Sequence, residues 1–486
     1  MKILTWNING IRASKVPLPQ LFETLDADII CIQETKITRD MLDEATAIVE
    51  GFNAYFSFCK TRSGYSGVAT YVKNSCTPTK AEEGLTGVHE ADKAEHSIGF
   101  HGDYSLYTED EIRSLDNEGR CIMTQHKMLS DDGEEIRLTV INVYCPMAVL
   151  DDPDSVERMA FKLKFYDLLQ KRAEAILQSG SHVIILGDVN ASHRPIDHCD
   201  PCDEKEFNQH PSRKWLNNLL RTPTNSNGLF VDSFRHFHPD QREAYTCWQT
   251  LTGARATNYG TRIDYIIGDT RLVEDSFSDC VILPDVRGSD HCPVKAVLHW
   301  ECIPAKKYPP LCSKYLPEFV GKQQKLSSYF SKGSGPKSGS DTSSQESNDS
   351  TKSYTASKRS GDSTVEVKPN KKLKSVGFKQ GSIQSFFKQN RTQVTSNSAV
   401  ALLQTVAAES GKRQSDCVTT WKSIFKGPKA PPTAPLCSGH KEACLLRTVK
   451  KDSLNKGRDF WVCNRPEGHK SNKEARCEHF EWVSKK

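Results

Sequence analysis

The chain has 486 residues, too many for one hydrophobic core, and its formal net charge of +4 hides a division. Residues 1–301 carry 31 Lys and Arg against 46 Asp and Glu, whereas residues 302–486 carry 34 against 15. No apolar run reaches the roughly 20 residues a membrane span needs, and the 17 cysteines are odd in number and irregularly spaced, so a soluble protein in a reducing compartment is expected.

In chain order, strand patterns fall at Ile3 to Trp6, Ile29 to Gln33, Gly67 to Val72, Leu138 to Val143, Val183 to Leu186, Arg262 to Ile267 and Val294 to Leu298. The first strand, taken from Lys2 to Trp6, begins immediately after Met1, so no cleavable presequence is expected ahead of the fold. Several, such as Val183-Ile-Ile-Leu186, are unbroken apolar runs, as expected of strands buried on both faces. A helical pattern covers Ser155 to Gln178, with Phe161, Phe165, Leu168, Leu169 and Ile176 on one side. Residues 1–302 therefore read as a layered α/β domain.

Composition then changes. Between Ser331 and Ser363, 12 of 33 residues are Ser and only Tyr354 and Ala356 are apolar, too few to offset the entropy of ordering, so 303–434 is expected to be a disordered linker. It holds a short repeat: Gln323-Gln-Lys-Leu326-Ser-Ser-Tyr329-Phe330 and Gln380-Gly-Ser-Ile383-Gln-Ser-Phe386-Phe387. An aliphatic and two aromatics three and four residues apart share one face of a helical turn, ready for a partner's groove. Chance is the bland alternative, weakened by the second copy. Lys368 to Lys374 reads as a nuclear import signal or as a merely solvated basic run, giving a nuclear expectation with room for a mitochondrial pool.

Amides and carboxylates stand at the ends of the strand patterns: Asn7, Gln33-Glu34, Asp188-Val-Asn190 and Asp290-His291. Such groups lose hydration there and gain no packing, and a common use for them is to hold a divalent metal and a water against a phosphate. Mg²⁺, or Mn²⁺ in its place, needs few protein oxygens and keeps several waters; Asn7, Glu34 and Asp290 suit it. Asp188 and Asn190, two apart in extended chain, face one side. An Asp-x-Asn turn capping a helix is the structural alternative for that pair, and a core histidine satisfied by a carbonyl is the one for His291.

The runs Trp6-Asn7-Ile8-Asn9-Gly10-Ile11-Arg12, Gln33-Glu34-Thr35-Lys36, Asn142-Val143-Tyr144-Cys145-Pro146, Gly187-Asp188-Val189-Asn190, Arg262-Ile263-Asp264-Tyr265 and Ser289-Asp290-His291-Cys292-Pro293 resemble the endonuclease/exonuclease/phosphatase superfamily. Within it they are similar to class II apurinic/apyrimidinic (AP) endonucleases of the exonuclease III type. The resemblance implies a four-layered α/β sandwich and Mg²⁺-dependent hydrolysis of DNA phosphodiesters. It implies that Asp188 orients and deprotonates the attacking water, or protonates the leaving group, and that Asn190 fixes that water. Asp188, Asn190 and His291 are further candidate metal contacts. His291 would meet the phosphate, with Asp264 on its other nitrogen and Tyr144 beside it.

Departures from the family pattern bear on specificity. Tyr245-Thr246-Cys247-Trp248 and Thr261-Arg262-Ile263-Asp264 put Cys247 and Thr261 where bulky aromatics are expected, and Asn9 stands for an Asp. A smaller pocket grips an abasic sugar less well. The pattern is that of the second eukaryotic type of the family, so 3′-5′ exonuclease and 3′-phosphodiesterase action is expected to exceed AP-site incision, in base excision repair and the damage response. A lipid or inositol phosphatase and a non-catalytic scaffold are the alternative functions.

Residues 435–486 form a small module with Cys437-x2-His440, Cys463 and Cys477, four ligands for a closed structural Zn²⁺ site, and Cys444 as a fifth candidate. With Gly457-Arg458, Phe460-Trp461 and Phe480-Glu-Trp482 it resembles the GRF-type zinc finger. Arg458, Phe460 and Trp461 are candidate contacts for single-stranded DNA, against the alternative of a solvated face around structural zinc. Trp248 reads first as a packing residue and second as a DNA contact. Cys199-x2-Cys202 reads as a reduced surface loop. The partners implied are damaged duplex and single-stranded DNA, the DNA sliding clamp (PCNA) through Gln380, Ile383, Phe386 and Phe387, no membrane, and a monomer.

Overall fold

The computed structural model describes residues 1–88, 97–148, 155–320, 433–450 and 453–484. Met1–Lys325 and Thr433–Lys486 form one compact unit. The clamp motifs at 323–330 and 380–387 and the basic run 368–374 lie outside the described residues.

Alternation along the strands builds four layers. Ile3, Ile29, Cys31, Ile184, Leu186 and Ile266 point into a core between two sheets. Their neighbours point outward. Leu4, Ile30 and Ile32 pack under Leu18, Leu21, Phe22 and Leu25 of the helix Leu18–Leu25. Val183, Ile185 and Ile267 pack under Phe165, Leu168, Leu169 and Ile176 of the helix Ser155–Gln178. Strands buried on both faces explain the unbroken apolar runs, and the result is the four-layered α/β sandwich expected from the sequence. Among the described residues, no helix is long and apolar enough to cross a membrane.

The first sheet runs Phe277–Ile282, Val294–Leu298, Lys2–Asn7, Ile29–Gln33, Val68–Lys73, Phe52–Ser57. The second runs Glu301–Ile303, Cys121–Leu129, Glu135–Tyr144, His182–Asp188, Asp264–Asp269, Phe230–Asp232, with Lys80–Glu83 also paired to Cys121–Leu129. Each sheet contains one parallel pair, Lys2–Asn7 with Ile29–Gln33 and Glu135–Tyr144 with His182–Asp188. Parallel strands end on the same side, so Asn7, Glu34, Tyr144 and Asp188 gather at one edge of the sandwich. Buried amides tie the sheets there: Gln33 Nε2 donates to Asn142 Oδ1 at 2.7 Å, and Asn142 Nδ2 to Ala69 O at 3.0 Å. Gln33 is thus a brace for the site, not one of its ligands.

The C-terminal module is a three-stranded antiparallel sheet of Leu445–Thr448, Asp459–Val462 and Phe480–Trp482. Its core is Cys437, Cys444, Trp461 and Cys463, with Ala434, Leu446, Cys477 and Val483 packed against it.

Candidate active site

Register fixes the centre. Asp188 lies across from Tyr144 on one side and from Asp264 on the other. Gly187 precedes it at φ 139°, where an added Cβ would lie 1.9 Å from Val143 O, so only glycine allows this strand to approach its neighbour. Beyond the strand ends the chain turns sharply: Asn9, Glu34, Lys36 and Asn190 all have φ between 53° and 56°, a left-handed conformation that costs free energy and gathers at functional sites.

The side chains form one connected network. Asn7 Nδ2 donates to Glu34 Oε1 at 3.0 Å and to Asp188 Oδ2 at 2.9 Å. The Asn190 amide N–H donates to Asp188 Oδ1 at 2.8 Å, while Asn190 Nδ2 bonds Cys145 O at 2.9 Å. Asn9 Nδ2 donates to Asp290 Oδ1 at 2.9 Å, a bond that Asp in this position could not make. Lys36 joins both halves, with its ammonium 2.7 Å from Glu34 Oε2 and also on Asn9 Oδ1. His291 Nδ1 meets Asp264 Oδ2 at 2.8 Å, and its Nε2 lies 4.0 Å from Asp188 Oδ2.

Burial sorts these groups into floor and rim. Asn7, Tyr144, Asp188, Asp264 and His291 are buried, whereas Glu34, Asn190 and Asp290 are half-exposed. Burial pushes the Asp188 carboxyl up to about 7, with Asp264 adding to the rise and His291 opposing it. Burial works against charge on His291 too, but Asp264 outweighs it and holds the imidazolium well above its ordinary value. Glu34 stays below the usual range: burial opposes this, and the bonds from Lys36 and Asn7 overcome it. Burial lifts the Tyr144 phenol well above its ordinary value, and Glu34 and Asp188 lift it further.

The donors fit a hard divalent cation. Glu34 and Asp290 offer carboxylates at the half-open rim, and Asn7, buried beneath them, offers an amide oxygen that here accepts from the Asn9 amide N–H at 3.1 Å. Lys36 already places positive charge on Glu34. Deeper in, the ligand atoms of Asp188, Asp264 and His291 lie within 4.8 Å of one another, and Asp264 Oδ1 is buried with no hydrogen-bond partner. Asp188 and Asn190 thus face a shared site and not a helix N-terminus, while His291 pairs with a carboxylate and not with a carbonyl.

Supporting residues carry charge that sequence reasoning did not single out. Arg120, fully buried, donates to Tyr144 O at 2.8 Å and to Tyr65 Oη at 2.7 Å, with its guanidinium 4.6 Å from the centre of the Tyr144 ring. Lys162, pushed down to about 8 by burial, donates to Asn190 O at 2.7 Å. Arg262 grips Asp197 and Asp232 just ahead of Asp264, with Arg235 completing the buried cluster. The available signal was a lone cation beside each motif or on an apolar helix face.

Two candidate DNA contacts need correction. Trp248 is 3 % exposed, with Nε1 on Asn258 Oδ1 at 3.1 Å and Arg255 over its ring, and Trp461 is 7 % exposed in the module's core. Both are packing residues. The aromatic face of the module is instead the exposed Phe480 with the half-buried Phe460 and Trp482, and the Arg458 guanidinium lies 4.0 Å from the centre of the Trp482 ring.

Cys437, His440, Cys463 and Cys477 converge with their ligand atoms within 4.8 Å, a fit for tetrahedral zinc. Cys444 is outside this group and packs in the core. Burial opposes a charged thiolate at Cys437, yet N–H bonds from Glu442 and His440 bring it down to about 6, as metal ligation requires. Cys199 and Cys202 are free thiols in a loop.

Comparison with known proteins agrees with this geometry. Residues 4–291 match the Endonuclease/Exonuclease/phosphatase family and residues 435–486 match the GRF zinc finger. The chain is 50 % identical to DNA-(apurinic or apyrimidinic site) endonuclease 2 of Xenopus laevis, covering 100 % of this chain and 99 % of that protein. To the human protein of the same name it is 41 % identical over 99 % of both. The crystal structure of the Xenopus laevis APE2 catalytic domain superposes with a TM-score of 0.63 at 60 % identity, covering 67 % of this chain and all of that one.

Proposed function

The chain belongs to the Endonuclease/Exonuclease/phosphatase family and is a DNA-repair nuclease of the AP endonuclease 2 type, and we propose that it trims 3′ ends of DNA more readily than it incises AP sites. The observation that carries the chemistry is the buried Asp188 carboxyl, poised near 7 and 4.0 Å from the His291 imidazolium. That gap admits one oxygen within hydrogen-bond reach of both groups. His291, charged by Asp264, donates to a phosphate oxygen. Asp188 takes a proton from the water held by Asn190 as its oxygen bonds to phosphorus, and the bond to the departing sugar oxygen breaks, that oxygen taking a proton from solvent water. Tyr144 stays protonated and donates near the same phosphate. Mg²⁺, or Mn²⁺, held by Glu34, Asp290 and Asn7, supplies charge neutralisation at the phosphate.

The preference for 3′ ends rests on the pocket. Cys247 forms a bridge with His291 and pairs with Thr261, so the wall beside the phosphate site is made of two small side chains. Residues 435–486 contribute Zn²⁺-supported single-strand binding through Arg458, Phe460, Phe480 and Trp482, and Gln380, Ile383, Phe386 and Phe387 contribute binding to the sliding clamp. The protein acts as a monomer in the nucleus, in base excision repair. One gapped duplex carrying an internal abasic site and a mismatched 3′ end tests the ranking. Faster loss of the 3′ nucleotide is expected, and faster internal incision would overturn it.

A further inference from the structure

The zinc module touches the body of the enzyme at one turn. Residues 250–258, two short 3-10 turns, connect Cys247–Trp248 to Gly260–Thr261. The Glu467 amide N–H donates to Thr252 O at 3.0 Å, Thr257 Oγ1 donates to Glu467 O, and Arg447 Nη2 donates to Leu251 O at 2.8 Å. The surfaces meet closely: a Cβ on Gly468 would lie 3.1 Å from Thr257, tighter than ordinary contact, and one on Gly253 would lie in ordinary contact with Pro466 at 3.6 Å.

Both sides of this contact are tied to a functional centre. The turn is anchored to the nuclease site, since the Trp248 amide N–H donates to Asp290 O at 3.0 Å and Arg255 Nη1 to Ser289 O at 2.9 Å. The contact segment 465–468 lies between the zinc ligands Cys463 and Cys477. Arg476 holds it in shape, with its amide N–H on Pro466 O at 2.7 Å and its Nη2 on Glu467 Oε1 at 2.7 Å. Phe460, Phe480 and Trp482 make none of the three bonds to the turn, but Arg447 pairs in register with Phe460 and shares its face of the sheet, so the aromatic face adjoins the seat.

We propose that the zinc finger docks on the turn 250–258 as part of the rim of the nuclease site, so that a single strand bound on Phe460, Phe480 and Trp482 is handed to that site through a fixed contact. This rests on the reading above that the finger binds single strands. The occupant of the turn is the finger of the same chain, seated there by three hydrogen bonds. Docking of this kind raises the local concentration of a bound strand, an effect that reaches 10²- to 10⁴-fold for two linked modules.

The test uses the full chain with zinc and Mg²⁺, as wild type, Thr257→Arg and Arg447→Met. The first variant fills the space against Gly468, and the second removes the bond to Leu251 without touching the turn. Amide hydrogen exchange at 250–258 and 465–468 reads docking. Turnover on duplex with a 3′ single-stranded tail and on blunt duplex reads delivery, and affinity for a free oligothymidylate reads the finger alone. Protection in both segments is expected in wild type, with faster exchange in both variants and about 10²-fold slower turnover of the tailed duplex, the low side of that linkage effect. Blunt-end turnover stays as in wild type in both variants, and oligothymidylate affinity stays as in wild type in Thr257→Arg, which leaves the aromatic face untouched. Equal exchange in all three proteins, or equal losses on tailed and blunt DNA, would overturn the proposal. Protected segments in a wild type without oligothymidylate affinity would instead overturn single-strand binding, leave docking in place and remove delivery.

Discussion

Replacing Asp264 by Asn removes one charge and almost no volume, so it isolates what the carboxylate does for His291. The two side chains are 0 % and 6 % exposed and 2.8 Å apart, so solvent does not screen the pair. Its loss falls between a charge-assisted hydrogen bond, about 1.5–3 kcal/mol, and a broken buried ion pair, about 3–5 kcal/mol, which puts the expected destabilisation near 3 kcal/mol. At about 2–4 °C per kcal/mol for a domain of this order, melting falls by roughly 6–12 °C. Activity falls further, by about 10²- to 10³-fold, because the imidazole loses the charge it brings to the phosphate.

The pH dependence gives the sign. His291 is raised in the folded state, so its contribution to stability is complete below about 6.5 and is lost as pH rises through the higher folded value. In Asp264→Asn that loss disappears, and cleavage does not recover on acidification, because the pH that returns the proton to His291 also protonates the Asp188 base. Thermal unfolding in EDTA and single-turnover cleavage from pH 5 to 9 measure both effects. A variant within 1 kcal/mol and tenfold of wild type, with an unchanged pH profile, would refute the assigned role of Asp264.

Other predictions follow from particular groups. Asp188 is raised to about 7, so the metal-free protein loses stability as pH rises from about 4 to about 7, and Asp188→Asn flattens that slope in melts recorded in EDTA. Asp197 is depressed: burial opposes this and the guanidiniums of Arg262 and Arg235 overcome it, so its contribution is present above about 3.9 and lost as pH falls further. Asp197→Ala costs about 3–5 kcal/mol in chemical denaturation, since it leaves the buried Arg235 without a carboxylate and Arg262 with Asp232 alone. Cys437→Ser leaves three zinc ligands, and zinc release by a chromogenic chelator is expected to speed up while oligothymidylate binding is lost and blunt-end turnover persists.

The strand-end residues were legible because their information is local. Asn7, Glu34 and Asp188 each close an apolar run, Asp290 stands just ahead of one antiparallel to the first strand, and the parallel strand pairs bring those ends to one edge. The zinc ligands were legible from spacing. Arg120, Lys162 and Arg262 were not, because a lone cation next to an apolar run acquires meaning only when its acceptor, 24 to 65 residues away, is in place. Aromatic side chains misled for a related reason. Trp248 and Trp461 look like stacking surfaces in a basic, aromatic sequence, but each covers a small core, and the open face falls to Phe480 and Trp482 on a neighbouring strand.

The charge division noted in the sequence follows the same partition. An acidic body concentrates carboxylates around the nuclease edge, and the basic C-terminal part supplies the attraction to phosphate that the body lacks.

The central claim is that Glu34 and Asp188 at these strand ends perform metal-dependent phosphodiester hydrolysis. Single-turnover cleavage of a 5′-labelled duplex with a recessed, mismatched 3′ end tests it directly, in Mg²⁺ and in EDTA, for wild type, Glu34→Gln and Asp188→Asn. Stepwise shortening from the 3′ end is expected only with Mg²⁺, with a loss of about 10²-fold or more in each variant. Cleavage that survives EDTA, or a Glu34→Gln protein that cuts at the wild-type rate, would contradict it.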